Sequence, residues 1–442
     1  MNSGAATAKD RVLQPTPRPL RRARLPLSTM ALLAWRNLWR HRRRTVITLA
    51  SIAIGFGLAV LTVGFSDGAH NSMIRNAIKL GEGHVTVQPA GYLESPANDR
   101  YIADGRALQG RLNALGLPAR VEPRITLQVL ASTAANSVGA GLEGLNGADD
   151  ERARMLRPQL IEGEWFEAGD ARGVVIGDGM ARKLKAKVGA KVVLMAGLQG
   201  GDSQAHLGRV RGIFDSKVDE LDDFLVLADL ALARQFLVGE GADATLGPVT
   251  RFAVFLDDPD TLAATAGTLK QSVAGSDLVA LDWREMMPQL VQFLFIDEAG
   301  NYVFLLLILV LVVFGIVNTV LMSVLERTRE FGLLRALGLG RRHLLGLVFF
   351  ESLLLGLLAV ACGWLLGGGG HAWFGSAGID VTALIGENTA MMGTFMDPVI
   401  RTELSGARIW QLTWIIFAAT LGSGIYPAIK ASRVTPVQAL RT

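Results

Sequence analysis

Four long, almost uncharged runs of apolar residues are the feature that most constrains how this chain can fold. They cover Thr45 to Phe65, Tyr302 to Leu325, Leu344 to Leu366 and Ile409 to Ile429, and only the third holds a charge, Glu351. A helix needs about 20 apolar residues to cross the ~30 Å hydrocarbon core of a bilayer. Inside lipid the backbone must also satisfy its own hydrogen bonds, which a helix does. The sequence therefore predicts four transmembrane helices.

Basic residues are concentrated on one side of these predicted helices. No acidic residue lies between Asp10 and Asp67, a stretch that holds ten arginines. The loop between the second and third runs and the C-terminal tail are also rich in Arg and Lys. Short flanks of this kind stay in the cytoplasm. We therefore expect both termini to be cytoplasmic and the long segment 67–300 to lie outside.

The region before the first run divides into two parts. Residues 1–29 are rich in Arg, Pro and small residues without apolar periodicity, which predicts a disordered basic tail. From Met30 to Arg44, leucines and tryptophans recur at helical spacing beside arginines, a pattern typical of an amphipathic helix on the membrane surface. The sequence leaves open the expectation that translation begins at Met30.

The inserted segment 67–300 has a different composition, with 23 Lys and Arg against 32 Asp and Glu. Strand-like segments such as Val174–Gly177 and Arg251–Phe255 alternate with helical ones such as Asp178–Ala186 and Leu230–Leu237. This alternation predicts a large α/β (α+β) extracytoplasmic domain between the first and second transmembrane helices. We expect two subdomains, one inserted in the other, with boundaries near Leu145 and Asp243. Helical patterns that continue past the first run and precede the second predict two stalks.

Most motifs that would indicate chemistry fail in context. The only cysteine, Cys362, lies in the third run, so no disulfide can form within the chain. Gly64 to Gly68 matches G-x-S-x-G, but its serine follows a transmembrane run and not a strand. The six histidines are scattered, and none of the nine lysines precedes Ser or Thr, so there is no P-loop. We therefore expect no catalytic residue, metal or cofactor in this chain.

Glu351 is the one acidic residue well inside a predicted span. A charge in such a place often marks a proton or ion relay. It lies close to the cytoplasmic end, however, and no second charge within the spans is available to receive a proton. An interhelical hydrogen bond or an ion pair with a flanking arginine is the favoured interpretation.

The cytoplasmic loop between the second and third runs carries the most informative pattern. It reads as a short amphipathic helix in which acidic and basic residues are interleaved around an apolar ridge, which suits a protein partner better than a lipid surface. The residues predicted to form this interface are Glu326, Arg327, Thr328, Arg329, Glu330, Phe331, Gly332, Leu334, Arg335, Leu337 and Gly338.

Three segments resemble the MacB/FtsX-like permeases of ABC transporters. They are ERTREFGLLRALGL from Glu326, the tail YPAIKASRVTPVQALR from Tyr426, and the entry WRNLWRHRRRT from Trp35. The resemblance extends from Met30 to the C-terminus. The layout of four spans without a fused ATPase is most similar to that of the lipoprotein-releasing permeases.

This resemblance implies a role for each part of the chain. The loop helix would be a coupling helix that docks on a cytoplasmic ABC ATPase dimer, with Phe331 and Leu334 as apolar contacts. ATP and Mg²⁺ would be bound by that ATPase, and a second permease chain, identical or paralogous, would complete the transporter in the bacterial inner membrane. Its movements would act on lipoproteins or lipids in the periplasm by mechanotransmission. Alternatives are a sensor that regulates a periplasmic cell-wall hydrolase, and a peptide or drug exporter with an adaptor.

The predicted organisation follows from these interpretations. It is a basic tail over 1–29, a cytoplasmic amphipathic helix over 30–44, transmembrane helices over 45–66, 301–325, 344–366 and 409–430, a periplasmic MacB-like core with stalk helices over 67–300, a coupling helix over 326–343, a periplasmic loop over 367–408 and a cytoplasmic tail over 431–442.

Overall fold

The computed structural model describes most of the chain and divides it into two compact units. The described residues are 27–40, 42–81, 83–147, 150–197, 203–237, 247–337, 339–380, 390–391, 394–395 and 399–433. The membrane unit comprises residues up to Leu61, Val303–Gly370 and the residues from Ser405 onward. The insert unit comprises Thr62–Tyr302 and His371–Leu404. Most of the predicted basic tail and the end of the predicted cytoplasmic tail lie outside the described residues.

The helices of the described chain are numbered in chain order. They are α1 Leu27–Arg40, α2 Arg42–Leu80, α3 Gly105–Ala114, α4 Glu151–Leu156, α5 Asp178–Leu184, α6 Asp219–Phe224, α7 Leu230–Leu237, α8 Leu262–Ser272, α9 Trp283–Met286, α10 Pro288–Glu326, α11 Thr328–Ala336, α12 Arg341–Ala377 and α13 Gly406–Ser432.

The strands are numbered in the same way. They are β1 Val85–Pro89, β2 Ala119–Ser132, β3 Ser137–Leu145, β4 Leu160–Gly163, β5 Gly173–Gly177, β6 Lys191–Gly197, β7 Ser203–Phe214, β8 Leu225–Asp229, β9 Arg251–Leu256, β10 Leu278–Asp282, β11 Ile379–Asp380, β12 Ala390–Met391, β13 Thr394–Phe395 and β14 Val399–Ile400.

Four helices of the described chain, α2, α10, α12 and α13, are long and apolar enough to cross a membrane. This confirms the predicted fold class, four membrane helices with an α/β domain between the first and second. Helices α2 and α10 each have 39 residues. At 1.5 Å per residue such a helix is about 58 Å long, nearly twice the hydrocarbon thickness. The predicted helical extensions of the first and second spans are therefore present.

Three boundaries differ from those that the sequence indicates. Helix α1 begins at Leu27, three residues before Met30. The helical pattern from Trp283 is interrupted at Met287, because Pro288 lacks an N–H and is suited to the first position of a new helix. Helix α12 continues through the Gly-rich stretch to Ala377, where a loop from residue 367 was expected.

Close packing between α2 and α12 explains why helix α12 tolerates this glycine-rich stretch. A Cβ atom on Gly367 would lie 2.9 Å from Gly57 Cα and 2.9 Å from Val60 Cβ. Only glycine lets the two backbones approach so closely, as is typical of small residues between membrane helices. One turn earlier on α12, Trp364 packs edge-on against Phe56 with ring centroids 5.5 Å apart.

We predict opposite effects for two neighbouring substitutions in this stretch. Gly367→Ala should lower the free energy of unfolding by about 1–3 kcal/mol, because the added methyl group overpacks the contact with Gly57. Gly369→Ala is the matched control, since nothing lies within 4 Å of the added Cβ, and it should be neutral or stabilising by up to about 1 kcal/mol. Thermal unfolding of the purified chain in detergent measures both, and equal shifts would contradict the prediction.

The insert unit is built on one ten-stranded sheet with the order β10-β1-β9-β2-β3-β8-β5-β7-β4, in which β6 pairs with both β2 and β7. Six of these strands close into a ring, β2-β3-β8-β5-β7-β6. The pairs β3–β8 and β5–β7 are parallel, and the other pairs are antiparallel. The core is filled by side chains from both ends of the sheet, such as Val85, Leu142 and Phe252.

The long strand β2 joins the two halves of this sheet. Its residues Ala119–Arg124 pair with β9, whereas Ile125–Ser132 pair with β3. The half of the sheet that includes β3 is therefore inserted into the half that includes β9. The N-terminal boundary between the two halves falls within β2 and not near Leu145. The sequence pattern could not reveal this, because β2 is one uninterrupted strand and its pairing partners change only in the tertiary structure.

Buried arginines hold the chain at the end of α2. The carbonyl of Gly81 accepts hydrogen bonds from Arg124 and, at 3.1 Å, from Arg152 Nη2. Arg124 is 2% exposed and pairs with Asp150 at 3.0 Å and with Glu122 at 3.4 Å. Cations are favourable at a helix C-terminus, where unpaired carbonyls point outward. This cluster therefore fastens the end of α2 to β2 and to the start of α4.

The same cluster contains a perturbed carboxyl group. Burial raises the pKa of Glu122 to about 7, and the neighbouring Asp150 adds to this effect against the opposing charge of Arg124. Burial likewise raises the pKa of Asp222, to about 6. Both side chains therefore bind a proton in the folded chain at pH values where an unfolded chain has released it.

We predict that the contributions of Glu122 and Asp222 to the stability of the insert unit fall as pH rises from about 5 to about 8. Each carboxyl group binds its proton more tightly in the folded state than in the unfolded state, so the contribution of Glu122 is present at low pH and is lost as pH passes about 7. Glu122→Gln should flatten this dependence, leaving the smaller decline due to Asp222. Denaturant unfolding at several pH values measures the free energy of unfolding of both proteins. If its dependence on pH were the same in the variant as in the wild type, Glu122 would not be the group responsible.

Candidate functional site: the helix between the second and third spans

Helix α11 lies between the end of α10 at Glu326 and the start of α12 at Arg341, within the predicted coupling segment. Arg327 separates α10 from α11 with a non-helical backbone conformation (φ −101°, ψ 16°). The N–H of Leu337 bonds to the Leu333 carbonyl at 3.0 Å and closes the helix. Gly338, also predicted for the interface, lies outside the described residues.

One face of α11 is buried in the membrane unit. Phe331 is 1% exposed and belongs to a hydrophobic cluster that includes Leu38 of α1, Val324 of α10, Val348 of α12 and Ala428 of α13. The next residue, Gly332, is also buried, and Leu334 packs partly buried against the same cluster. A short helix of nine residues has little stability of its own, so these contacts hold it in place.

A chain of ion pairs fixes the start of α11. Arg327 Nε lies 3.1 Å from Glu330 Oε2, and Arg327 Nη1 lies 3.3 Å from Glu351 Oε2 on α12. Glu330 also pairs with Arg40 at the end of α1. The side chains of Arg327 and Glu351 are only 9% and 14% exposed, so water screens this pair weakly. The predicted ion pair of Glu351 with a flanking arginine is confirmed.

Two further contacts complete this arrangement. Arg44 of α2 pairs with Glu326 at 3.0 Å, and the guanidinium of Arg327 lies over the Phe331 ring, 5.1 Å from its centroid. Partial burial would raise the pKa of Glu330, but hydrogen bonds from Arg40 and Arg327 hold it below its usual value. Glu330 is therefore ionised at neutral pH. Ion pairs join α11 to α1 through Arg40 and, through Arg327 at its start, to α12, while Arg44 joins α2 to the end of α10.

The opposite face of α11 is open. Leu333 is 57% and Leu337 76% exposed, and Arg329 one turn earlier is exposed as well. The spacing i, i+4, i+8 places the three side chains on one side of the helix. The described surface of α11 therefore combines two exposed leucines with a basic residue.

This placement changes which residues can contact a partner. Phe331 was expected to contact a partner directly, but it is enclosed by the chain's own helices and holds α11 against them. Leu333, which the sequence pattern did not single out, is exposed instead; its four-residue spacing from Arg329 and Leu337 was the available signal. Of the other predicted interface residues, Glu326 is exposed, Thr328 bonds to the Val324 carbonyl at 3.3 Å, and Arg335 is half-buried.

The G-x-S-x-G match has no catalytic geometry. Ser66 lies within helix α2, with no preceding strand. Its hydroxyl accepts a hydrogen bond from Asn301 at 2.6 Å and lies 3.4 Å from Asp297, whose carboxylate contacts His70 directly. These contacts link α2 to α10 within the insert unit and do not join the serine to the histidine.

We predict that the two faces of α11 respond differently to truncation. Phe331→Ala should lower the free energy of unfolding by about 3–5 kcal/mol, because it leaves a cavity among four helices. Leu333→Ala on the open face should change it by less than about 0.5 kcal/mol. Thermal unfolding in detergent compares them. If both variants were equally stable, Phe331 would not be the internal anchor of the helix.

The buried ion pair leads to a separate prediction. Arg327→Met should lower the free energy of unfolding by about 3–5 kcal/mol, because it leaves Glu351 buried without its charge partner. Adding Glu351→Leu to that variant should restore most of the loss, since an apolar pair can replace a buried ion pair. A double-mutant cycle on unfolding free energies tests this. Additive losses would show that the two side chains act independently.

Comparisons with known proteins agree with this layout. Residues 45–272 match the family model of the MacB-like periplasmic core domain, and residues 302–436 match the FtsX-like permease C-terminal model. The lipoprotein-releasing system transmembrane protein LolE of Haemophilus influenzae is 22% identical over 94% of this chain and 99% of its own length. LolC of Neisseria meningitidis, described in the same words, is 21% identical over 90% of this chain and 94% of its own length.

A third relative has an additional part. The macrolide export ATP-binding/permease protein MacB of Agrobacterium fabrum is 24% identical to this chain. The match covers 92% of this chain and 60% of MacB. The core-domain match extends over more than half of this chain, and the permease match covers its last three membrane helices. The chain therefore belongs to the MacB/FtsX-like family of ABC transporter permeases.

Proposed function

We propose that this chain couples ATP hydrolysis by a separate cytoplasmic ABC ATPase dimer to conformational change in its insert unit outside the membrane. The observation that carries the proposal is the two-sided construction of α11. Its open face presents Arg329, Leu333 and Leu337, and its buried face is fixed by Phe331 and Arg327. A helix with an apolar anchor surface and charged neighbours suits docking in a groove of a protein partner.

The contacts of α11 supply a physical route for movement. A displacement of its open face by a partner would be passed to α1 through Arg40, to α10 through Val324 and to α12 through Glu351, all of which contact or share a cluster with the buried face. Packed side chains and ion pairs of this kind carry coupling between sites. Helices α2 and α10 each run from one unit into the other without a break. Mechanotransmission requires such continuous helices between the two units.

The proposed orientation places both termini and α11 in the cytoplasm of a bacterium, with the insert unit in the periplasm. The arginines before the first span and around α11 support it, because short basic flanks are retained on the cytoplasmic side. ATP and Mg²⁺ would be bound by the partner ATPase, so the chain itself would hold no cofactor.

For the substrate, we propose lipoproteins or lipids taken from the outer leaflet of the inner membrane, with a second permease chain completing the transporter. The support is the near full-length similarity to LolE and LolC, which are named for lipoprotein release. Export of a peptide or drug is the second candidate, and the similarity to the macrolide exporter MacB favours it. Reconstituted vesicles with a labelled lipoprotein and a soluble acceptor distinguish the two.

We predict that charge on the open face of α11 uncouples the complex. Leu333→Asp combined with Leu337→Asp should reduce co-purification of the ATPase by more than about tenfold, because two desolvated carboxylates oppose an apolar contact. Thermal stability should stay within about 0.5 kcal/mol of the wild type, since both side chains are exposed. Pull-down and ATPase turnover in nanodiscs are the measurements.

A matched control separates docking from general damage. Leu115→Asp changes another exposed leucine, 37% exposed, in the insert unit, and it should leave ATPase binding unchanged. If the α11 double variant still bound the ATPase and supported normal turnover, α11 would not be the docking element.

A further inference from the structure

Helix α1 carries an exposed apolar stripe in addition to its buried one. Ala34 and Leu38 are at most 3% exposed and belong to the hydrophobic cluster of the membrane unit. Leu32, Trp35 and Trp39 are 60%, 43% and 36% exposed and follow one another at spacings of three and four residues, so they share another side of the helix. The two indole rings pack edge to face, with centroids 5.9 Å apart. Helix α1 therefore has a second apolar side that the described chain leaves uncovered.

Three exposed arginines accompany this exposed stripe. Arg36 lies beside it on α1, one turn from two of its members, and Arg42 and Arg43 open the first turn of α2. None of these three unpaired arginines forms an ion pair with a described residue. Their own stretch of chain offers no carboxylate, because residues 11–66 contain neither Asp nor Glu.

The neighbouring arginines show where the available carboxylates are used. Arg40 pairs with Glu330 of α11, and Arg44 pairs with Glu326 at 3.0 Å. Both acidic residues lie at the junction of α10 and α11 and are already engaged there. The charge of the three unpaired arginines is therefore available to an anion that does not belong to the described chain.

The surroundings of these arginines favour a lipid anion over an acidic protein. The first uncharged run begins at Thr45, two residues beyond Arg43, within a helix long and apolar enough to cross a membrane. The unpaired arginines at the start of α2 therefore lie at the depth of the headgroups. Indole rings are enriched at this depth, because they combine an apolar ring with a polar N–H. Tryptophans beside arginines are typical of helices that lie in the membrane interface.

We propose that α1, together with the first turn of α2, is a binding surface for anionic phospholipids. The exposed stripe lies at the boundary between acyl chains and headgroups, and the three unpaired arginines bind lipid phosphate groups. Phosphatidylglycerol is favoured over phosphatidylcholine, because the choline cation of the latter balances its phosphate. Arg40 of the same helix holds α11 through Glu330, so lipid and α11 are bound by one element. The inference does not depend on docking of an ATPase, and the chain alone tests it.

Quenching of the two stripe indoles by brominated lipid measures the contact. The full chain is reconstituted without an ATPase in nanodiscs of phosphatidylcholine and phosphatidylglycerol. Two preparations have the same headgroup composition and the same mole fraction of acyl-brominated lipid, and only the headgroup that carries the bromine differs. The signal of a Trp35→Phe, Trp39→Phe variant is subtracted, because the chain contains other tryptophans. Brominated phosphatidylglycerol should quench the difference signal at least about twofold more strongly, since the attractions of the arginines add.

Two triple variants separate local binding from bulk charge. The first is Arg36→Gln, Arg42→Gln and Arg43→Gln, which keeps both indoles and should abolish the preference for phosphatidylglycerol. The matched control removes the same charge at three exposed arginines elsewhere in the membrane unit, namely Arg341→Gln, Arg342→Gln and Arg433→Gln, and should keep the preference. Raising the salt concentration from about 0.1 M to about 1 M should weaken the preference of the wild type without any substitution, because the Debye length falls from about 10 Å to about 3 Å.

The proposal is overturned by any of four results. The first three are equal quenching by the two brominated lipids in the wild type, an unchanged preference in the first triple variant, and an equal loss of preference in the control. The fourth is quenching of the stripe indoles by iodide in water and by neither brominated lipid. That result would place the exposed stripe in water, where an acidic protein surface is the remaining partner.

Discussion

The buried ion pair between Arg327 and Glu351 is the interaction on which the membrane unit depends. A carboxylate inside an apolar helix is costly unless a cation reaches it. Arg327 can do so because it stands at the break between α10 and α11, where its side chain turns toward α12. The same guanidinium contacts Glu330 and the Phe331 ring. One residue therefore fixes the direction in which α11 leaves α10 and the face that it turns outward.

A second arginine cluster has a comparable function in the insert unit. Arg124 and Arg152 both bind the Gly81 carbonyl just past the end of α2, and both are balanced by buried carboxylates. Helix α2 thus ends in a fixed contact with the sheet and not in a free loop. The proposed coupling would depend on such a fixed end, because a flexible junction would absorb the movement.

Much of this organisation could be predicted from residue patterns, and the exposed face of α11 could not. The four spans, the α/β insert and the helix at Thr328–Ala336 follow from hydrophobic runs and charge placement. Periodicity alone made Phe331 and Leu334 appear to be the outward ridge of α11, since an apolar stripe looks the same whether it faces a partner or the chain's own core. Packing against the neighbouring helices decides which face of α11 is buried, because it encloses Phe331 and leaves Leu333 and Leu337 exposed.

What the sequence by itself determined is therefore the kind of protein and its family, because bilayer length and ordered motifs are local properties of the chain. Only the tertiary structure decided which partner each polar group found. Glu351 pairs with Arg327 from the junction between α10 and α11, β2 changes its pairing partners after Arg124, and Gln88 is buried with no hydrogen-bond partner for its side chain among the described residues. These outcomes depend on contacts between residues far apart in the chain, and no local pattern encodes them.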